Sequence, residues 1–471
     1  MVRKIFVPYG MPEEGGVAQS PPYMLGTPGF GAPRFPGFVA MYPFEIPDCE
    51  FKPQVRIDSN RLSKASVMDA ELSGTVGIES AEGVRMACDK DCINGFYIAG
   101  NSKYTIKDTE MDFKGNGIND FAGRGAQVQI DDNAVVVIEN SKFTTTGVIR
   151  PCFCAGGSST LIVRNCELIG NGGVLDHKPR PIPGPGMEVP PPALELEGNC
   201  RTHLSVGNSH SYFYDSKIVA DGWAALSTDA SDGDLYLEAN RCDIIVRKKG
   251  YATFSDGGCY VVLNDCKIES GAQAMILAGR SKGVLNNCSV KAGANCSMII
   301  SINGNTSMIS HLTINGGNIE TESDMFRVKS ANAHLDLRNV RLKAKSGVLI
   351  RTEILDDIMA TKVQPGTVVY GVKAIFADME AEGDILSEDA NRTIAVTLTH
   401  TNLKGGIKDA FLKLDPSSTW FATKDSVVTL IDTVIEGQID APAGVVINAL
   451  SDTLESGSSI QLKSGGVLNI R

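Results

Sequence analysis

Arg241-Cys242-Asp243-Ile244 and Asp265-Cys266-Lys267-Ile268 are two copies of one short pattern. In each copy a small residue is followed by one polar residue and then by an aliphatic residue. The pattern recurs along the chain, and most steps between successive small residues are similar in length to the step from Cys242 to Cys266. A regular period of this length is typical of stacked-repeat proteins. The small residues stand at positions 109, 141, 166, 216, 242, 266, 288, 317, 340, 401 and 433.

Each repeat contains short apolar runs that alternate with period two, such as Tyr260-Val261-Val262-Leu263. Gly, Asn, Asp and Ser, the residues that favour turns, separate these runs. Each repeat is therefore predicted to be a coil of about three short strands, and successive coils to stack as parallel sheets. The small residue and the aliphatic residue two positions later point to the same side of a strand, so we expect both to lie inside the solenoid.

This pattern resembles the right-handed parallel β-helix of the pectate-lyase-like superfamily over roughly residues 95 to 470. The distal segments Val427-Val428-Thr429-Leu430-Ile431 and Gly466-Val467-Leu468-Asn469-Ile470 resemble the stem of autotransporter passengers. The resemblance implies an all-β chain that forms a single right-handed parallel β-helix. It does not specify a function, because this fold carries lyases, hydrolases, adhesins and tailspikes.

Two long steps interrupt the repeat. The first, from Cys166 to Ser216, contains seven prolines between positions 177 and 192. Insertions in repeat proteins often lie on the binding face, so residues 171–193 are predicted to form a lid. The second long step lies between Val340 and Thr401, and residues 353–471 are predicted to be distal coils and a cap. The main β-helix is placed at residues 61–352.

Residues 1–60 are rich in proline, glycine and aromatic residues, with Phe30, Phe35 and Phe38 among them. Such a composition predicts an extended arm rather than a helix or a sheet. The aromatic residues are expected to anchor this arm on the solenoid or on a neighbouring subunit. The arm therefore suggests a homo-oligomer.

The net charge of −11 argues against nucleic acid or an anionic membrane as a partner. No apolar run is long enough for a signal peptide or a membrane-spanning helix. Four of the twelve cysteines, Cys166, Cys242, Cys266 and Cys288, fall on the predicted inward ladder. Stacked thiols of this kind favour a reducing compartment, so a cytoplasmic location is expected, with disulfides as the alternative.

The candidate site is predicted from the third strand of each coil. Aligning Asn119-Asp120-Phe121-Ala122 with Leu194-Glu195-Leu196-Glu197 places the apolar side chains inward and the three carboxylates outward. Arg150 lies on the coil between these two segments. The lid is expected to cover this face, since His177, His203 and His210 all fall around it.

These residues suggest general acid/base chemistry. Asp120, Glu195 or Glu197 is the predicted base, Arg150 and Arg201 the predicted anion clamps, and His203 or His210 the predicted acid. No cofactor is expected, although Asp229, Asp232 and Asp234 form an alternative Ca²⁺ site. The predicted substrate contacts are His177, Tyr212, Tyr214, Trp223, Asp229 and Tyr251.

We therefore favour an enzyme, a carbon–oxygen lyase or a glycosidase, that acts on a small, intracellular, polyhydroxylated or uronate-like substrate. A non-catalytic adhesin-like solenoid that binds carbohydrate or a surface is the first alternative. A structural scaffold that assembles as a homo-oligomer is the second. The sequence leaves these three classes open, because polar residues on a solenoid face are also needed for solubility.

Overall fold

The computed structural model describes residues 3–8, 41–46, 51–65, 68–177, 186–231, 233–301, 308–355, 371–432 and 434–471. These ranges are almost entirely strand and turn, as predicted, and their one helical element is the 3-10 turn Pro192–Leu194. The chain divides into two compact units, residues 1–276 and 277–471. None of the described segments is a helix with the length and apolar character needed to cross a membrane.

Unit 1 is built from three columns of parallel strands, and each coil adds one strand to each column. Sheet A contains Lys103–Lys107, Val135–Glu139, Thr160–Arg164, His210–Tyr214, Tyr236–Asn240 and Tyr260–Asn264. Sheet B contains Glu110–Lys114, Lys142–Thr146, Glu167–Gly170, Lys217–Ala220, Asp243–Val246 and Lys267–Ser270. Sheet C contains Ile93–Ala99, Val128–Ile130, Phe153–Ala155, Arg201–Gly207, Trp223–Ser231 and Gly250–Asp256. The next strand, Gln273–Ala278, spans the boundary of the two units.

The first strands of unit 1 are partly antiparallel. Arg3–Pro8 pairs with Met41–Ile46, Lys52–Asp58 with Arg61–Lys64, and Glu71–Val76 with Ser80–Cys88, each pair antiparallel. Lys52–Asp58 also pairs in parallel with the sheet C strand Ile93–Ala99. The end of the predicted arm therefore belongs to the solenoid. Residues 9–40 and 47–50, which hold the predicted aromatic anchors, lie outside the described residues.

Unit 2 repeats the parallel stacking. One long strand, Ile407–Leu414, pairs with both Asp384–Ser387 and Ile394–Thr399 and so joins two columns. The last strand, Val467–Ile470, also pairs antiparallel with Ser459–Gln461. The remaining strands of unit 2 are Lys282–Asn286, Ser289–Ala292, Ser297–Ile300, Ile309–Asn315, Asn318–Thr321, Phe326–Lys329, Asn332–Arg338, Arg341–Ala344, Val348–Glu353, Val372–Ala377, Glu380–Glu382, Asn402–Lys404, Thr419–Phe421, Ser426–Ile431, Ile439–Asp440 and Val446–Ser451.

The predicted inward ladders are confirmed in unit 1. Phe143 pairs with Leu168 and Leu168 with Ile218 on sheet B, and all three are fully buried. The small residues before these strands, including Cys166 and Ser216, are also buried. The parallel β-helix predicted from the repeat is therefore correct as a fold class, and its right-handed sense stays a prediction.

The sequence pattern missed two coils of unit 2, at Met379 and at Ser418. The long step between Val340 and Thr401 contains the strands Val372–Ala377, Glu380–Glu382 and Asp384–Ser387. In this coil Met379, which is 7% exposed, takes the place of the small residue. The large side chain hid the repeat, because the pattern required Cys, Ser, Thr, Gly or Val at this position.

The alignment of the third strand is wrong in two coils. Asn119-Asp120-Phe121-Ala122 forms a turn closed by a bridge between Asn119 and Arg124, and the sheet C strand of this coil is Val128–Ile130. Residues 195–197 follow the 3-10 turn and form no strand. Period-two reasoning therefore does not apply to Asp120, Glu195 or Glu197.

Candidate functional site

Arg201 is the centre of a group of polar side chains at sheet C of unit 1, and it is 5% exposed. Its Nη1 donates to Asp120, 3.1 Å from Oδ2, and its Nη2 lies 3.5 Å from Oδ2 of Asp229. Tyr251 and Asp256 complete the group, which we call the Arg201 cluster. One cation therefore faces three carboxyl groups.

The register of sheet C brings these residues together from distant parts of the chain. Arg201 pairs with Ala224, and Ala224 pairs with Tyr251 on the next strand. Because Ala224 carries only a methyl group, the side chains on either side of it meet, and Arg201 bonds to the Tyr251 hydroxyl. Asp120 enters from the turn before Val128–Ile130. Its predicted exposed position is wrong, since the residue is 3% exposed.

Asp229 and Asp256 stand in hydrogen-bond contact on neighbouring strands. Burial, the charge of Asp229 and this hydrogen bond raise the pKa of Asp256 well above its ordinary value. Two ionised carboxylates in contact repel each other, so one of them keeps its proton. The guanidinium of Arg201 favours ionised Asp229, and Asp256 is therefore the protonated partner. Both residues stay partly exposed, so the pair is reachable from solvent.

Aromatic rings enclose the guanidinium of Arg201. Its central carbon lies 4.5 Å from the ring centroid of Trp223 and 5.1 Å from that of Phe121. Trp223 and Tyr251 are each 1% exposed, and the Tyr251 hydroxyl is 2.9 Å from the hydroxyl of Ser227. Excluding water in this way strengthens the attraction between the guanidinium and the carboxylates.

The returning limb of the predicted lid lies on this cluster. The backbone N–H of Gly186 donates to the Asp120 carboxylate, and Met187 is buried beside it. His177 joins the two limbs, because its Nε2 is 2.7 Å from Oε2 of Glu188. Residues 178–185, the middle of the predicted lid, lie outside the described residues. The substrate contact predicted for His177 stays a prediction.

Glu195 and Glu197 are exposed on the segment after Pro192–Leu194. Glu195 closes that turn in the left-handed conformation, with φ 58°. The Glu197 carboxylate lies 3.5 Å from Lys249 Nζ, and its backbone carbonyl accepts a hydrogen bond from the N–H of Trp223. Neither side chain has the buried setting that tunes a catalytic base, so these positions give no support to the predicted role.

Arg150 is fully buried, and its guanidinium binds backbone carbonyls rather than facing an open pocket. Its guanidinium donates to the carbonyl oxygens of Lys90, Ile93 and Lys114, each at 2.9 Å. These carbonyls come from successive turns of the chain, so Arg150 connects coils. Its Nη atoms are already engaged, and this does not fit the predicted role of an anion clamp.

His203 lies in the core of unit 1. Its Nε2 is 2.8 Å from Ser205 Oγ, and its ring packs edge-on against Phe213, a buried residue of sheet A. Burial lowers the pKa of His203 to about 3. A neutral and fully enclosed imidazole does not fit the predicted role of general acid.

Three other predicted residues, His210, Tyr212 and Tyr214, lie apart from the Arg201 cluster on sheet A. They alternate with the buried residues Ser211 and Phe213, so they share the outer side of their strand. We call this surface the aromatic face. The structure thus divides the predicted site between two sheets: Asp120, Arg201, Trp223, Asp229 and Tyr251 meet at sheet C, and His210, Tyr212 and Tyr214 lie on sheet A.

The calcium site predicted from Asp229, Asp232 and Asp234 stays a prediction. Asp229 belongs to the Arg201 cluster, Asp234 lies 3.5 Å from His210, and Asp232 is outside the described residues. In the ranges that the structure describes, no three His, Cys, Asp or Glu side chains are arranged to hold a metal ion.

Unit 2 has an open groove of about 650 Å³ at the turns between its columns. Gly316 stands between Asn287 and Asn339 in the row of turn residues, and its missing side chain widens the groove. Arg341, Glu380 and His400 also line it. The groove is polar and open, and its two carboxyl groups, Asp378 and Glu380, are exposed rather than buried.

Sequence reasoning missed three residues of these surfaces. Asp256 was given no role in the predicted site, although it stands at the end of a sheet C strand as Asp229 does on the coil before. Tyr236 and Tyr260 extend the aromatic face, and they are as far apart along the chain as Cys242 and Cys266. That spacing equals one coil of the repeat, so the sequence alone could have indicated that the two tyrosines stand in one row.

No protein-family model and no curated protein matches this chain. The fold and the cluster together define a parallel β-solenoid protein with a buried arginine among carboxyl groups. Any function is therefore argued from the chemistry of that cluster.

Proposed function

We propose that unit 1 carries a general acid/base site at the Arg201 cluster and cleaves a carbon–oxygen bond of a polyhydroxylated substrate. The observation that supports this most is the contact between Asp229 and Asp256 beside Arg201. Two carboxyl groups with different proton occupancy supply a base and an acid at one point.

In the proposed reaction Asp229, held ionised by Arg201, removes a proton from a carbon atom of the substrate. Asp256 gives its proton to the leaving oxygen as the C–O bond breaks and a C=C bond forms. Asp229 then holds the proton and Asp256 the charge. Transfer of that proton across their hydrogen bond restores the starting state, so the balance requires no other reactant.

The hydrogen-bond contact between Asp229 and Asp256 favours a lyase over a glycosidase. In glycosidases the two carboxyl groups are about 5–5.5 Å apart for retention and about 6.5–9.5 Å apart for inversion. A hydrogen-bonded pair is closer than either arrangement. Elimination requires a carbon-bound proton made acidic by a neighbouring carboxyl group, and a uronate has such a proton. Uronate-like sugars are therefore the proposed substrates, and relationship to the pectate-lyase-like superfamily is part of the proposal.

The other residues have supporting roles in this scheme. Asp120 positions Arg201, with the lid residue Gly186 bonded to the same carboxylate. Tyr251 and Trp223 keep water from the guanidinium. Removing any of them is expected to act through Arg201 rather than on the substrate itself.

A test uses uronate oligosaccharides and follows the ultraviolet absorbance of the new double bond. Asp229→Asn and Asp256→Asn keep the shape of each side chain but can neither accept nor release a proton in the reaction, so each is expected to lower kcat about 100- to 10,000-fold. The matched control is Asp243→Asn, an exposed carboxyl on sheet B that should leave kcat unchanged. Wild-type protein that releases no unsaturated product, or full turnover by both variants, contradicts the proposal.

The cytoplasm is the proposed location. Within the described ranges no disulfide joins the eleven cysteines, and the thiol of Cys242 is in hydrogen-bond contact with that of Cys266 on the next coil. Thiols in contact crosslink readily in an oxidising compartment. The homo-oligomer predicted through residues 1–60 stays a prediction, because most of the arm lies outside the described residues.

A further inference from the structure

The aromatic face presents five rings on three successive strands of sheet A. His210 pairs with Tyr236, and Tyr236 pairs with Tyr260, so these three stand in one row along the stacking direction. Tyr212 and Tyr214 lie beside them on the first strand. The chain has only 11 tyrosines, and four of them are on this face.

Four of the five rings, those of His210, Tyr212, Tyr236 and Tyr260, contact one another without being covered. The centroid distances are 5.9 Å from His210 to Tyr236, 5.7 Å from Tyr212 to Tyr236 and 5.4 Å from Tyr236 to Tyr260. The pairs are tilted or edge-to-face, which holds each ring in a fixed orientation. Tyr260 is 40% exposed and the other four are partly exposed. Surface aromatic clusters of this kind mark binding sites.

Hydrogen-bonding groups stand among the rings. Oε2 of Glu238 accepts from the Tyr236 hydroxyl at 2.6 Å, and Oε1 accepts from Asn240 at 3.0 Å. Asn264 Nδ2 in turn donates to Asn240 Oδ1 at 2.9 Å. Carboxylate, amide and phenol groups together offer both donors and acceptors. Sugar hydroxyls need both, and the apolar faces of sugar rings pack on aromatic rings.

We propose that the aromatic face binds a neutral glycan whose chain runs along the stacking direction of the coils. The rings recur once per coil, about every 4.8 Å, which is close to the length of one sugar ring in an extended chain. Glu238 and the exposed Asp234 give the face a negative charge, which disfavours an acidic glycan. The binding site stands on sheet A and is independent of the reaction proposed for the Arg201 cluster.

The test is affinity gel electrophoresis of the full chain through hydroxyethylcellulose, galactomannan or mixed-linkage β-glucan, with polygalacturonate as the acidic comparison. At least one neutral polymer is expected to retard the wild-type protein more than polygalacturonate does. Tyr236→Ala and Tyr260→Ala are each expected to weaken that retardation about tenfold, since a lost ring contact is worth roughly 1.4 kcal/mol.

The matched control is Phe411→Ala, which removes an aromatic side chain that is 37% exposed in unit 2. It should not change the retardation, and circular dichroism confirms that each variant is folded. Asp256→Asn should also leave retardation unchanged, which separates this proposal from the proposed reaction. A wild-type protein that no neutral polymer retards, or tyrosine variants that bind as well as wild type, overturns the inference.

Discussion

A single type of turn explains the repeated pattern residue by residue. Between sheets A and B each coil passes through a residue with positive φ, such as Asn165 at 51°. Asn and Asp adopt this conformation more easily than most residues. The small residue then closes the turn: Ser216 Oγ donates to the carbonyl of Tyr214 and accepts from the N–H of Cys166 on the preceding coil. A small side chain is needed there because the position is buried.

The positive φ before the small residue was not predicted. The Asn and Asp residues at this place, such as Asn165 and Asp265, looked like ordinary turn formers. The inward position of the small residues could be predicted, because strand periodicity alone determines it. The contact of Asp229 with Asp256 could not, since it depends on the exact register of the two neighbouring sheet C strands.

His203 should make the protein sensitive to acid. Its pKa is lowered to about 3 in the folded chain by burial, against 6.5 for an unperturbed imidazole. Between these values the unfolded chain binds more protons, so the stabilising contribution is complete above pH 6.5 and is lost as the pH falls toward 3. The free energy of unfolding is measured in urea at pH 7 and again at pH 5. We expect it to fall between these two pH values by less in His203→Gln than in wild type.

The control for this experiment is His400→Gln, since the side chain of His400 is 67% exposed. It should keep the wild-type dependence on pH. Equal losses for wild type and His203→Gln between the two pH values would show that the buried imidazole is not responsible.

Residues in the turns and insertions between strands are the ones whose positions a sequence pattern predicts poorly. Leu194-Glu195-Leu196-Glu197 alternates like a strand, but the prolines before it restrict the backbone and Glu195 adopts a left-handed conformation. The lid was predicted from its prolines, and the one contact of it with Asp120 in the described residues is the hydrogen bond from the backbone of Gly186. The strands of sheets A and B could be predicted because the same turn joins them in every coil of unit 1.

Arg150 connects these elements, and its loss should be costly. Arg150→Met removes three hydrogen bonds that a buried guanidinium makes to backbone carbonyls, so the free energy of unfolding should fall by at least about 3 kcal/mol. Urea unfolding followed by circular dichroism measures the change. Arg241→Ala is the control, because its ion pair with Asp215 is exposed and should contribute little to the free energy of unfolding. Similar losses in both variants would contradict this account of Arg150.

Across unit 1 the exposed charges of sheet B alternate in sign from coil to coil. Lys142 stands opposite Glu167, Glu167 opposite Lys217, and Lys217 opposite Asp243. Both lysines reach Glu167, at 3.2 and 3.0 Å. Opposite charges on neighbouring strands favour this pairing. A pairing that skipped one coil would place like charges opposite each other and would be unfavourable. The same alternation neutralises the cations locally, in a chain whose net charge is −11.

This charge pattern predicts that sheet B has no affinity for nucleic acid. At about 0.05 M salt the protein should pass through a heparin column and be retained by an anion exchanger. Glu167→Lys places three lysines in a row on sheet B and should produce measurable retention on heparin. Retention of the wild-type chain that weakens as salt is added would contradict the exclusion of nucleic acid.

The turn that all these coils share also has a consequence for how the chain can change in evolution. Residues 242–265 form one coil, and their removal would join Arg241, with φ 52°, directly to Cys266. The junction would again be a positive-φ residue followed by a buried cysteine, so the neighbouring coils could stack without a new turn. Loss or duplication of a whole coil should therefore be tolerated far better than a gain of one residue within a strand. Homologous chains are expected to differ in length by whole coils.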